Sequence, residues 1–232
     1  MVAWMVVALV VGRRAARWLR VATSVTPYRL RWKRRELRRG DLRYAALGDS
    51  LAQGIGASDP ERGYVGLLAA RLERATGRRV EVLNLSATGI MVHDLARDQL
   101  PVLLAMDPAP ELVTVTVGTN DAGRVPDDEL RDRFDELCAL LPAGAMVGDV
   151  PRFHRGRRAA AARRSAAVLR DVLARHPHLV PVGLDEPTRR AGWRLRAADF
   201  FHPNDLGHRL YADAFWTAAH RASSVVPARV GR

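Results

Sequence analysis

Tyr44-Ala45-Ala46-Leu47-Gly48-Asp49-Ser50-Leu51 joins an uncharged run to a glycine, a carboxylate and a hydroxyl. The run reads as a buried strand over 43–47, so Ser50 falls at a strand's carboxyl end. A serine hydroxyl is a poor nucleophile until a base takes its proton. A histidine serves as that base when a carboxylate fixes its tautomer and stabilises its charged form. Asp199-Phe200-Phe201-His202, near the other end of the chain, supplies such a pair. The three residues need to meet only in space, and the order Ser…Asp…His is one of several that work.

Outward from this stretch, strand and helix patterns alternate. Strands are predicted at 43–47, 80–85, 111–117, 145–150 and 179–184, the third a β-branched apolar run suited to a parallel sheet. Helices are predicted at 64–76, 92–105, 126–141, 157–176 and 204–221, with Pro101 kinking or splitting the second. This alternation implies an α/β fold, a three-layer α/β/α sandwich with parallel strands joined by right-handed crossovers.

Ligands bind outside the carboxyl ends of strands in such sheets. Ser50 follows the first strand, Gly89 the second, Asn120 the third, and Asp199 and His202 the fifth. Acyl transfer also needs donors aimed at the oxyanion of a tetrahedral intermediate. The backbone N–H groups of Ser50 and Gly89 and the Asn120 amide are candidates. Each residue has a plainer alternative. Ser50 could cap a helix, Asn120 could bond its own backbone, and Gly89 could be a turn glycine. Asp199 and His202 could be a helix entry ahead of Pro203. Asp49 is expected to bond loop amides.

Gly48-Asp49-Ser50-Leu51, Gly89, Gly118-Thr119-Asn120-Asp121 and Asp199-x-x-His202 together resemble the four blocks of the SGNH (GDSL) hydrolase superfamily. The resemblance spans roughly 42–221. It implies a flavodoxin-like sheet of about five strands in the order 2-1-3-4-5. It also implies cofactor-free and metal-free hydrolysis of a small ester through an acyl-enzyme. Ser50 maps to the nucleophile, Gly89 and Asn120 to the oxyanion hole, and Asp199 and His202 to the acid and base. Thioesters, lysophospholipids and acetylated carbohydrates are alternative substrates within the superfamily. No Gly-x-Ser-x-Gly elbow is present, which argues against an α/β-hydrolase.

The charge is unevenly placed. Residues 1–43 carry twelve basic and two acidic residues, whereas the remainder carries 25 basic and 23 acidic. The body is therefore near neutral, and its charge demands no acidic macromolecular substrate. Ten apolar residues, Val2 to Val11, precede arginines interleaved with Trp18, Tyr28 and Trp32. That run is too short for an ordinary membrane span. Arginine with tryptophan suits a segment lying on an anionic membrane surface, while a disordered tail or a mistaken start site is the plainer reading. The expected division is a basic segment 1–41, a hydrolase domain 42–222 and a tail 223–232. The expected location is cytoplasmic, at the inner membrane face, and the single cysteine, Cys138, leaves secretion open.

Cys138 itself reads as a buried small hydrophobe. The histidines have no zinc spacing, so neither metal nor cofactor is expected. Arg152, Arg155, Arg157, Arg158, Arg163 and Arg164 read as a solvated helix face, or as a contact for anionic lipid or substrate. A second class of function is a binding protein whose basic segment attaches to membrane or nucleic acid. No recognised nucleic-acid motif is present, so nucleic acid is not an expected partner.

Overall fold

The computed structural model describes residues 16, 19, 21–151, 156–189 and 192–222. The apolar run Val2–Val11, Trp4, Trp18, Arg152, Arg155 and the tail 223–232 lie outside the described residues, as do the side chains of Arg157 and Arg158. In chain order the elements are α1 (Val25–Arg35), β1 (Leu42–Gly48), α2 (Ser50–Gln53), α3 (Tyr64–Thr76), β2 (Val80–Asn84), α4 (Val92–Asp94) and α5 (Leu100–Leu104). Then come β3 (Leu112–Thr116), α6 (Asp127–Leu140), β4 (Met146–Gly148), α7 (Gly156–Leu173), β5 (Val180–Val182), α8 (Asp185–Arg189) and α9 (Asp205–Ala222).

The five strands form one sheet in the order β2-β1-β3-β4-β5, every pairing parallel. Period-two alternation divides β1 between two cores. Leu42, Tyr44 and Ala46 pack under α3 and α9 with Tyr64, Leu68, Leu72, Tyr211 and Phe215. Ala45 and Leu47 face the opposite layer, with Phe134 and Leu137 of α6 and Leu169 and Val172 of α7. Central strands buried on both faces read as unbroken apolar runs, which is why β1 and β3 are legible in the sequence. Pro181 lies in β5, the edge strand, where a missing N–H is tolerated and pairing stays short.

Two helices differ instructively from expectation. The helix predicted over 92–105 is three pieces, with a π-turn at Leu95–Gln99 closed by the Leu100 N–H to Leu95 carbonyl bond. Pro101 has no N–H, and its ring clashes with the carbonyl four residues back, so the preceding turn widens. The closing helix begins at Asp205 because Asn204 is its cap: its Oδ1 accepts from Leu206 N–H at 3.0 Å and Gly207 N–H at 3.2 Å.

The segment before residue 42 is not wholly apart from the body. α1 packs on the domain, with Trp32 only 3% exposed. Trp32 Nε1–H donates to the Gln53 carbonyl at 3.0 Å, and Tyr28 donates to the Ala57 carbonyl at 2.8 Å. The buried Arg35 lies between Glu61 and Glu73, at 3.5 and 3.6 Å. Trp32 therefore faces the protein and not a bilayer. Among the described residues no helix is long and apolar enough to cross a membrane. Cys138 is fully buried on α6, and burial pushes its thiol up to about 12. Arg163 and Arg164 are exposed on α7, as a solvated face requires, with Arg164 beside Asp127 at 3.3 Å.

His208 is fully buried in α9. Its Nδ1 accepts from the Tyr64 N–H at 3.3 Å, and its Nε2–H donates to the Ile55 carbonyl at 3.1 Å. That pattern needs a neutral ring, and burial pushes the imidazole from its ordinary 6.5 down to about 4. Between these values the unfolded chain binds the proton and the native chain does not, so stability falls as pH drops through this window. Asp49, raised by burial from 3.8 to about 6, acts in the opposite sense, so the His208 contribution is read as a difference. His208→Gln keeps a donor and an acceptor. Its melting temperature should lose less than the parent's between pH 6.5 and pH 4, a differential of about 3 kcal/mol in stability. Parallel melting curves would contradict the assignment.

Candidate active site

β1 ends at Gly48, whose φ is +141°. A Cβ there would stand 2.2 Å from the Thr116 carbonyl oxygen, so only glycine fits. Asp49 follows as the cap of α2, its Oδ1 accepting from Leu51 N–H at 2.9 Å. The capping role belongs to Asp49, which leaves the Ser50 hydroxyl free of it. Ser50 is buried at the first position of α2.

Across the sheet edge, the loop before α9 brings in His202 and Asp199. His202 Nδ1 lies 2.5 Å from Asp199 Oδ2, and His202 Nε2 lies 3.0 Å from Ser50 Oγ. A carboxylate only accepts, so Nδ1–H donates to Asp199 and the Nε2 lone pair receives the Ser50 hydroxyl. Asp199 Oδ1 also accepts from the N–H groups of Phe201 and His202, both at 3.0 Å. Burial alone would raise this carboxyl, but the His202 ring and those backbone donors hold it below the usual carboxylate range. The tight loop forces Phe200 to a φ of +57°, a strained value for a residue with a Cβ. Phe201 sets its ring edge-on to the imidazole, centroids 4.9 Å apart.

The other two sequence-predicted residues are brought to the same place. Asn120 Nδ2 donates to the Ile90 carbonyl at 2.8 Å and reaches Asp49 Oδ2 at 3.4 Å, so it touches both the nucleophile turn and the residue after Gly89. Gly89 takes a φ of +89°, and a Cβ there would enter open space. Its glycine is required by the left-handed backbone and not by crowding. Asp49 bonds the Leu51 amide of the first turn of α2 and makes only the long contact to Asn120, and burial pushes its carboxyl up to about 6.

A buried serine, imidazole and carboxylate in series at the carboxyl edge of a parallel sheet define a serine-type hydrolase of α/β/α build. Residues 46–210 match the family model for the GDSL-like Lipase/Acylhydrolase family, and the chain belongs to that family. Solved structures of the same fold include LAE5, an α/β hydrolase enzyme from the metagenome of Lake Arreo, at 24% identity and a TM-score of 0.63, covering 79% of this chain and 97% of that one. A lipase/acylhydrolase from Enterococcus faecalis superposes with a TM-score of 0.67 at 18% identity, covering 77% of this chain and 95% of its own. Axe2, an acetylxylan esterase from Geobacillus stearothermophilus, has a TM-score of 0.62 at 18% identity, covering 82% and 98%. No curated protein matches the chain.

Three supporting residues were missed in the sequence. Asp121, wholly buried, accepts from the Val92 N–H that opens α4, at 3.3 Å from each oxygen. Gln53, at the end of α2, takes the Thr88 hydroxyl next to Gly89 and so ties the nucleophile helix to the Gly89 loop. Gln99 closes the π-turn and is 4% exposed. Its Oε1 accepts from Gly48 N–H at 2.8 Å and its Nε2 donates to the Gly48 carbonyl at 3.0 Å. One amide thus holds both polar groups of the residue that turns the chain into the nucleophile. Gln99→Leu keeps the bulk and deletes both bonds. It is expected to fold with a loss of about 1–3 kcal/mol, and to lower kcat by roughly tenfold or more with KM little changed. Unaltered kcat in the folded variant would remove Gln99 from the positioning of Ser50.

Proposed function

We propose that this hydrolase cleaves carboxylic esters through an acyl-enzyme on Ser50. The observation that carries the reading is the unbroken series Ser50 Oγ, His202 Nε2, His202 Nδ1 and Asp199 Oδ2, with separations of 3.0 and 2.5 Å. In the first half-reaction Oγ bonds to the ester carbonyl carbon as its proton passes to His202 Nε2. Asp199 stabilises the imidazolium and keeps the ring in position. The carbonyl oxygen, now negative, is met by the N–H groups of Ser50 and Gly89 and by the Asn120 amide.

Asn120 has two amide hydrogens. The one on Ile90 is well bonded at 2.8 Å, whereas the contact to Asp49 at 3.4 Å is poor and leaves the second hydrogen for the oxyanion. The intermediate collapses, the alcohol leaves with the proton from His202, and the acyl group stays on Ser50. Water then repeats the sequence with His202 again as base, returning free Ser50 and releasing the acid.

The acyl and alcohol parts belong to this proposal too. Axe2 is described as an acetylxylan esterase and the Enterococcus faecalis neighbour as a lipase/acylhydrolase, so short acetyl esters and long acyl esters are both suitable probes. A p-nitrophenyl ester series from acetyl to palmitoyl, with one thioester, places the chain among them.

Ser50→Ala should fold normally and lose covalent labelling by a fluorophosphonate; retained labelling would overturn the nucleophile assignment. Asn120→Ala should lower kcat by about two to three orders of magnitude at nearly constant KM. A change confined to KM would make Asn120 a substrate-binding residue instead.

A further inference from the structure

α1 has two unlike faces. The inner face carries Tyr28, Trp32 and Arg35, whose donors are taken by the Ala57 carbonyl, the Gln53 carbonyl, and Glu61 and Glu73. The outer face exposes Arg29, Leu30, Arg31 and Arg34, and the turn after it exposes Leu37 and Arg38. Leu30 is 50% exposed and Leu37 79%. The one acid on this stretch, Glu36, is taken by Lys33 at 3.1 Å. Among the described residues no acid pairs with Arg29, Arg31, Arg34 or Arg38 on this strip.

We infer that this outer face docks on an anionic phospholipid bilayer, the guanidinium groups on the headgroup phosphates and the two leucines in the acyl boundary. Charge complementarity is the main argument, because residues 1–43 hold a net +10 and the rest only +2. The aromatic residues decide against single-stranded nucleic acid. Binding of single strands needs exposed rings on which bases stack. Here Tyr28 and Trp32 are turned inward, which leaves arginine and leucine outside. Ser24 and Tyr28 line a cavity of about 450 Å³ together with Ala197, Ala198 and the exposed Arg194 and Arg209. The inner edge of α1 reaches the segment before α9, where Asp205 also lines the shared cavity. α1 therefore stands beside the loop that carries Asp199 and His202.

The test uses the full chain and reads binding, not turnover, so it stands or falls apart from the esterase reading. Co-sedimentation is measured with vesicles of phosphatidylcholine alone and of phosphatidylcholine mixed with phosphatidylglycerol. The parent should bind the mixed vesicles and leave the neutral ones. Reversing four charges together (Arg29→Glu, Arg31→Glu, Arg34→Glu, Arg38→Glu) should weaken binding by roughly 100-fold or more, at about fivefold per residue. Its circular dichroism spectrum should match the parent's, which shows that the variant is folded. Leu30→Ser with Leu37→Ser should leave binding that high salt abolishes completely. Undiminished binding by the four-charge variant would place the contact elsewhere in the chain and overturn the inference. So would failure of the parent to bind, or tighter binding to single-stranded DNA than to the anionic vesicles.

Discussion

The site depends on how the chain leaves β1. Gly48 must turn at a φ closed to other residues while its N–H and carbonyl stay buried. Neither group can be left unpaired at that depth without a cost of about 1–3 kcal/mol. Gln99 answers both, and the Ala87 N–H adds a second bond to the Gly48 carbonyl at 3.0 Å. Asp49 N–H continues the ladder to the Thr116 carbonyl at 3.1 Å. Three segments that carry site residues, those after β1, β2 and β3, are therefore fastened to one turn. Ser50 is placed by the sheet and not by its own short helix.

Two carboxylates flank this turn and are held in opposite electrostatic conditions. Asp199 has an imidazole and two backbone donors, and its ionised form is favoured. Asp49 is buried with one backbone donor and a distant amide, and its ionised form is disfavoured. The difference suits their positions. A carboxylate held ionised beside His202 suits the stabilisation of an imidazolium in the proposed reaction, whereas Asp49 serves the turn as a hydrogen-bond acceptor. Burial raises both carboxyls, and only Asp199 has the donors that overcome it.

Much of this was legible in the chain. A parallel sheet puts ligand-binding loops at the carboxyl ends of its strands, so locating five apolar runs was enough to gather Ser50, Gly89, Asn120, Asp199 and His202 on one edge. Tyr64–Thr76 was read to the residue because its leucines keep helical spacing and Gly77 ends it at a φ of +69°. What stayed hidden has one physical character: a buried polar side chain whose partner is far along the chain. Gln99 sits 51 residues from Gly48 and His208 153 from Ile55, and no local pattern marks either. The π-turn that aims Gln99 arises from a proline two residues later, whose effect on the preceding turn could be foreseen only as a kink.

α1 was hidden for a different reason. Its arginines dominate the composition and mask a packed face in which Ser24, Tyr28, Trp32 and Arg35 recur at helical spacing. Arg31 and Arg35 stand four residues apart in α1, and like charges at that spacing destabilise an isolated helix. The helix therefore owes its existence to the inner face: the Trp32 and Tyr28 bonds and the two acids around Arg35. The outer arginines weaken what the inner residues hold together. A fold selected for stability alone would place glutamates among them, as most exposed helices do to gain opposite-charge pairs. A charge density that opposes folding, kept on a helix bonded to the nucleophile turn, fits a surface whose partner lies outside the molecule.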